Sequence, residues 1–196
     1  GTAGSAATKA TTTVTSRILL DVNASAETES GVTYGAMVRV RQTNGGTNAF
    51  NAARFYAKTG GLEVGLGNIY GAMDSMPGAY GQAVGLTGLS FAGLVTNSSM
   101  TFSSVGAGAA GTTKAVEAIY SMGDFSTHIS ANGTDTEGFA AYTLNGWTVA
   151  AATSNTKTAA NTQSAMTLSG KIGDVTLGVA TAKTKGGSKQ STVSGK

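Results

Sequence analysis

Residues 14–41, VTSRILLDVNASAETESGVTYGAMVRVR, change character at almost every step. In 14–26 the even positions are Val14, Ser16, Ile18, Leu20, Val22, Ala24 and Ala26, and the odd ones are Thr15, Arg17, Leu19, Asp21, Asn23 and Ser25. After Glu29-Ser30-Gly31 the pattern resumes: Val32, Tyr34, Ala36, Val38 and Val40 share one face, and Thr33, Gly35, Met37, Arg39 and Arg41 the other. Side chains on a strand point to opposite faces in turn, so period two means one apolar and one polar face. Two such runs around a Gly-containing turn predict a β-hairpin.

The same period continues downstream. Phe125, Thr127, Ile129 and Ala131 alternate with Ser126, His128, Ser130 and Asn132. Trp147, Val149, Ala151 and Thr153 alternate with Thr148, Ala150, Ala152 and Ser154, and Val175, Leu177 and Val179 with Thr176, Gly178 and Ala180. A tilted strand needs about 9–11 residues to cross a bilayer, whereas a helix needs about 20 apolar ones. The 196 residues contain no such apolar run, although 40% of them are hydrophobic. Charged residues make up only 12%, about half the usual share for a soluble domain. An apolar outer face and a small, polar inner face fit these figures.

Turn lengths alternate as well. Short turns are expected near Glu29-Ser30-Gly31, Gly60-Gly61, Met122-Gly123, Asn145-Gly146 and Gly173-Asp174, and longer links at 43–48, 70–112, 133–136, 155–161 and 185–187. Short on one side and long on the other is the rhythm of an outer-membrane barrel. Keeping that rhythm makes all of 70–112 one loop, with 98–105 (SSMTFSSV) not counted as a spanning strand. The fold predicted is all-β: a transmembrane antiparallel up-and-down β-barrel of about ten or eleven strands, with 1–196 as one domain.

Composition excludes other classes. All four Arg lie between residues 17 and 54 and the net charge is only +3, with no basic stripe or module for nucleic acid. Cysteine is absent, which does not fix a compartment. Residues 1–13 lack the apolar stretch of a secretory leader, so a mature chain or an internal piece is expected. A β-rich surface adhesin or phage-fibre solenoid is the alternative, but a solenoid should repeat at a fixed period, and the hairpins here vary in length.

Residues 15–46 (TSRILLDVNASAETESGVTYGAMVRVRQTNGG) resemble the early hairpin of the general diffusion porins of alphaproteobacteria, such as those of Rhodobacter. There a serine-arginine strand leads through a threonine-glutamate turn into a GVTFGA strand that ends in basic residues. Residues 51–76 (NAARFYAKTGGLEVGLGNIYGAMDSM) resemble the next hairpin, which in that family runs into a loop that folds inward and narrows the pore. The strings 117–130, 139–154 and 166–181 look like successive porin hairpins in rhythm. The resemblance implies a sixteen-stranded barrel in the bacterial outer membrane, a homotrimer, passive diffusion of small polar solutes and ions, and contact with outer-membrane lipid. It implies no enzyme. Against sixteen strands this sequence represents a partial barrel, or a smaller divergent one.

By parity Arg17, Arg39, Arg41 and Arg54 can all face the lumen, since a lipid-facing Arg costs about 2–4 kcal/mol near the midplane. Parity alone leaves open whether they form a wall or scattered solvated charge; the resemblance implies a basic wall opposite the inward loop, with Asp74 where that loop carries an acid. Glu63 and Glu117 are placed in the lumen by the same alternation. His128, the only histidine, is read as a solvated lumen residue, because a metal site needs several ligands. No catalytic arrangement stands out. Some members of the family bind calcium, but no dense oxygen-ligand motif appears here, so no cofactor is expected. Phe55, Tyr56, Tyr120, Phe125, Tyr142 and Trp147 cluster near short turns, as an aromatic girdle at the membrane interface would. Small residues at Ala24, Ala36 and Ala53 suggest outer positions that pack against a neighbouring copy.

Overall fold

The computed structural model describes residues 16–43, 50–80, 114–157, 162–185, 187 and 189–195. Its strands are β1 (Arg17–Glu27), β2 (Thr33–Thr43), β3 (Arg54–Thr59), β4 (Leu62–Gly67), β5 (Ala115–Met122), β6 (Phe125–Ala131), β7 (Asp135–Leu144), β8 (Trp147–Thr156), β9 (Gln163–Ile172), β10 (Val175–Thr184) and β11 (Lys189–Gly195). Each pairs with the next in sequence, giving one antiparallel sheet in the order β1 to β11. The sheet is an open meander, not the stacked repeat of a solenoid. Among the described residues one short helix, α1 (Ala72–Ser75), interrupts the strands. Among the described residues no helix is long and apolar enough to cross a membrane.

The registers follow the turns. Asn145 and Gly146 both have positive φ, 51° and 78°, the geometry of a two-residue type I′ turn whose twist matches its flanking strands. Leu144 accordingly pairs with Trp147, and the ladder runs unbroken to Asp135 opposite Thr156. The link expected at 133–136 is tighter than the sequence suggests. β7 already begins at Asp135, because the Asn132 side chain accepts hydrogen bonds from the N–H groups of Thr134 at 3.0 Å and Asp135 at 2.8 Å.

The two faces differ sharply. Ile129 is 56% exposed and Val149 45%, whereas their chain neighbours His128 and Ala150 are each 1% exposed. The outer face displays Ile18, Leu20, Val22, Phe55, Leu62, Val64, Leu66, Val116, Met166, Leu168 and Val179 to the surroundings. So large an apolar surface is not sustained in water and is what lipid requires. Val38 and Val40 pair with Val22 and Leu20 and share this outer face, as does Leu177. The inner face over β7–β10 carries Phe139, Ala141, Ala150, Ala152, Ala165, Ala180 and Ala182, which form one buried cluster with Ala72, Met73, Met76 and Ala79. Alanine leaves the depth that this incoming segment fills.

The chain 70–80 therefore turns onto the inner face. The remainder of the expected loop, 81–112 with 98–105 in it, lies outside the described residues.

Candidate functional site: a charged inner wall

Two ionic groups stand on the inner face. In the first, Arg39 forks onto Asp21, Nε to Oδ1 at 2.5 Å and Nη2 to Oδ2 at 2.7 Å, a bidentate geometry that only a guanidinium supplies. The same Nη2 donates to the Tyr70 hydroxyl at 2.8 Å, and the guanidinium carbon lies 5.1 Å from the Tyr70 ring centre. β1 and β2 set Asp21 opposite Arg39 in register, and Tyr70 comes from the chain entering α1.

The second group crosses four strands. Arg54 on β3 donates through Nη2 to Glu63 Oε1 at 2.5 Å and through Nε to Glu117 Oε1 at 2.5 Å. Glu117 Oε2 lies 2.9 Å from His128 Nε2, so the carboxylate takes an N–H from that nitrogen. Arg54, Glu117 and His128 are buried; His128 is therefore not the solvated lumen residue expected, because Glu117 and the Phe139 ring enclose it. Gly65 makes the span possible. It sits on β4 between Tyr56 and Glu117, and a Cβ there would stand 2.5 Å from Glu117 Oε1 and 2.9 Å from Arg54 Nη2. Burying these charges is tolerable because each carboxylate has a cation or an N–H donor within hydrogen-bond reach.

The chain 71–79 is fastened to the wall beside this group. The Ala72 N–H donates to Ser130 Oγ at 2.8 Å, the Met73 N–H to Glu137 Oε2 at 3.1 Å, and Thr167 Oγ1 to the Pro77 carbonyl at 2.6 Å. Ser130 and Glu137 are buried and directly paired. Next to this segment the hydroxyl of Tyr80 donates to Asp74, and burial with the Asp74 carboxylate pushes that phenol well above its ordinary pKa.

Several expected residues sit differently. Asp74 accepts from the Tyr80 hydroxyl, while Arg39 pairs with Asp21 and Arg54 with Glu63 and Glu117. Arg41 is exposed on the inner face, opposite Leu19. Arg17 opens β1, and its side chain lies outside the described residues. Phe55, Tyr120, Phe125, Tyr142 and Trp147 stand on the outer face, with the Trp147 ring across Gly170. Tyr56 does not join them, because it follows Phe55 directly and so points inward. Its ring covers Gly35, its hydroxyl donates to Asn23 Oδ1 at 3.1 Å, and the Arg54 guanidinium lies 5.2 Å from its centre.

Asp21, Tyr70, Ser130 and Glu137 carry no signal in the sequence that sets them apart from other polar residues of the inner face. Open volume remains on the inner face: about 490 Å³ beside Asn23, Thr33, Arg54, Tyr56, Lys58 and Glu63, and about 310 Å³ beside Tyr80, Thr148, Ser169, Lys171 and Thr176. Among the described residues, no group of three or more His, Asp or Glu is placed to hold a metal ion.

A family model described as "Gram-negative porin" matches residues 1–195. A curated porin of Fuscovulum blasticum is 34% identical over 83 residues, which are 41% of this chain and 29% of that protein. The aligned stretch thus spans under a third of the relative's length. Two solved structures of engineered variants of the Rh. blastica porin share the fold, with TM-scores of 0.75 and 0.73 at 20% identity, covering 92% of this chain and 70% of theirs.

Proposed function

The chain belongs to the Gram-negative porin family of the bacterial outer membrane, and from that premise we propose that it walls a water-filled channel through which small hydrophilic solutes and ions diffuse passively. The observation that carries this reading is the contrast between faces: apolar residues outside, paired charges and the fastened segment 71–79 inside. Solutes cross such a channel by size and polarity with no bond made or broken.

The segment 70–80 narrows the lumen in this reading, with Arg39, Arg54, Glu63, Glu117 and His128 on the opposing and supporting wall; the rest of the expected constriction loop, to 112, lies outside the described residues. Among the described residues, the exposed inner cations Arg41, Lys58 and Lys171 are left to act on passing ions, because Arg39 is paired with Asp21 and Arg54 is taken up by Glu63 and Glu117. A mild anion preference follows. The barrel also assembles as a homotrimer: Ala24 and Ala36 are directly paired on the outer face and offer a neighbouring copy a shallow surface. Ala53 lies just before β3.

Reconstitution into planar bilayers tests the reading. Stepwise, ohmic conductance with a small anion-directed reversal potential in a KCl gradient is the expected result. Folded protein that inserts without conducting would overturn it.

A further inference from the structure

Charge is unevenly spread along this chain. Residues 156–196 hold six Lys and one Asp, whereas 1–155 hold seven Lys and Arg against nine Asp and Glu. Two of those lysines meet in an unusual place. Lys183 on β10 and Lys189 on β11 are direct register partners, both exposed, and both on the outer face shared by Val179 and Val193. Like charges placed directly opposite one another on a sheet repel. Among the described residues neither has a carboxylate within salt-bridge distance. On β9 the outer-face neighbour of Lys183 is Ser164, and beyond it on β8 stands Thr153.

The pair also lies at a defined depth. Along the outer face of β10 and β11 the partners run from Val179–Val193 to Thr181–Ser191 to Lys183–Lys189. The middle step is joined by hydroxyls, Ser191 Oγ donating to Thr181 Oγ1 at 3.3 Å. Apolar, then hydroxyl, then ammonium is the order met on leaving the hydrocarbon for the headgroups. This is the end of the sheet that carries the longer links, which in such barrels is the external one.

We propose that Lys183 and Lys189 form a binding site for a phosphate of the glycolipid in the outer leaflet, a divalent anion bridging two ammonium groups. The inference rests on the outer-membrane placement of the sheet but not on conduction. Free phosphate offers the same chemistry, yet the site stands where the apolar band ends, so the ligand is a phosphate held at that depth by acyl chains. Basic residues near an anionic membrane surface contribute roughly five-fold each in affinity, about 25-fold for two.

The test uses the detergent-purified chain, native mass spectrometry, and lipid A with its phosphates or after phosphatase treatment. The chain as it stands should prefer the phosphorylated lipid by roughly 25-fold. The double variant Lys183→Ser, Lys189→Ser should lose that preference, Lys183→Arg with Lys189→Arg should keep it, and Lys171→Ser at the opposite end should leave it unchanged. Equal retention of the two lipids, an unaffected double Ser variant, or inorganic phosphate binding as tightly as the lipid would overturn the site. Conductance of the double Ser variant, recorded in parallel, keeps the outcome separate from the channel reading.

Discussion

Asp21 and Arg39 hold each other through two parallel hydrogen bonds of 2.5 and 2.7 Å, on adjacent strands and on the face that carries α1. The pair cancels its own charge and fixes the guanidinium under Tyr70. Replacing either partner therefore unmasks the other. Asp21→Asn should shift the reversal potential toward anions, and Arg39→Ser toward cations. Both side chains keep some contact with solvent, so the cost in stability should be modest, about 0.5–1 kcal/mol. A shift of the same sign in both variants would contradict an electrostatic role for the pair.

The second group should behave differently because it is buried. Glu117→Ala leaves Arg54 with Glu63 alone and His128 without its acceptor, and breaking a buried pair costs about 3–5 kcal/mol. Gly65→Ala should be nearly as harmful, since its Cβ would meet Glu117 and Arg54 at 2.5 and 2.9 Å. Thermal unfolding in detergent, followed by the far-ultraviolet strand signal, should show both variants melting several degrees lower. An unchanged midpoint for Gly65→Ala would mean that the Arg54–Glu117 contact is not held tightly.

Alternation places Arg39 and all four members of the second group on the inner face, but of the pairings only that of Asp21 with Arg39 follows from the sequence, for one reason. A turn centred on Ser30 pairs residues equally far from it, so Asp21, nine back, faces Arg39, nine forward. Strand alternation separates Phe55 from its neighbour Tyr56, so that only Phe55 belongs to the outer face. Arg54 and Glu117 are 63 residues apart, and β4 meets β5 across the long link after Gly67, where no tight turn sets the register. Gly65 as the gap between them follows only once that register is known. Ser130 and Glu137 look like ordinary lumen polars until the backbone of Ala72 and Met73 arrives to use them. The contact of Asp74 with Tyr80, six residues on, depends on the bend of the segment and has no signature in the alternation.

Release of the fastened segment gives a third expectation. Ser130→Ala combined with Glu137→Gln removes one acceptor for the Ala72 N–H and weakens the other for Met73. Both N–H groups are buried, and each unmet one costs about 1–3 kcal/mol. The segment should then leave the wall for part of the time. Single-channel records should show larger mean conductance with more open-channel noise, while the strand signal stays intact. Quiet traces of unchanged amplitude would mean that packing alone holds 71–79 in place.

Adjacent alanines on β8 separate the two faces most directly. Ala152 is 7% exposed and packs in the cluster with Met73, Met76 and Ala79, whereas Ala151 is exposed on the outer face beside Met166. Ala152→Leu adds three carbons where the incoming segment already fills the space, and overpacking costs about 1–3 kcal/mol. The cheapest relief is displacement of 71–79 rather than distortion of β8, because the strand is held by ladders to β7 and β9. Conductance should therefore change together with stability. Ala151→Leu adds the same carbons to a surface that meets lipid, where stability should change by less than about 0.5 kcal/mol and conductance not at all. Reversal of this order, with Ala151→Leu the damaging change, would invert the faces of the sheet and with them the placement of every inner-wall residue described above.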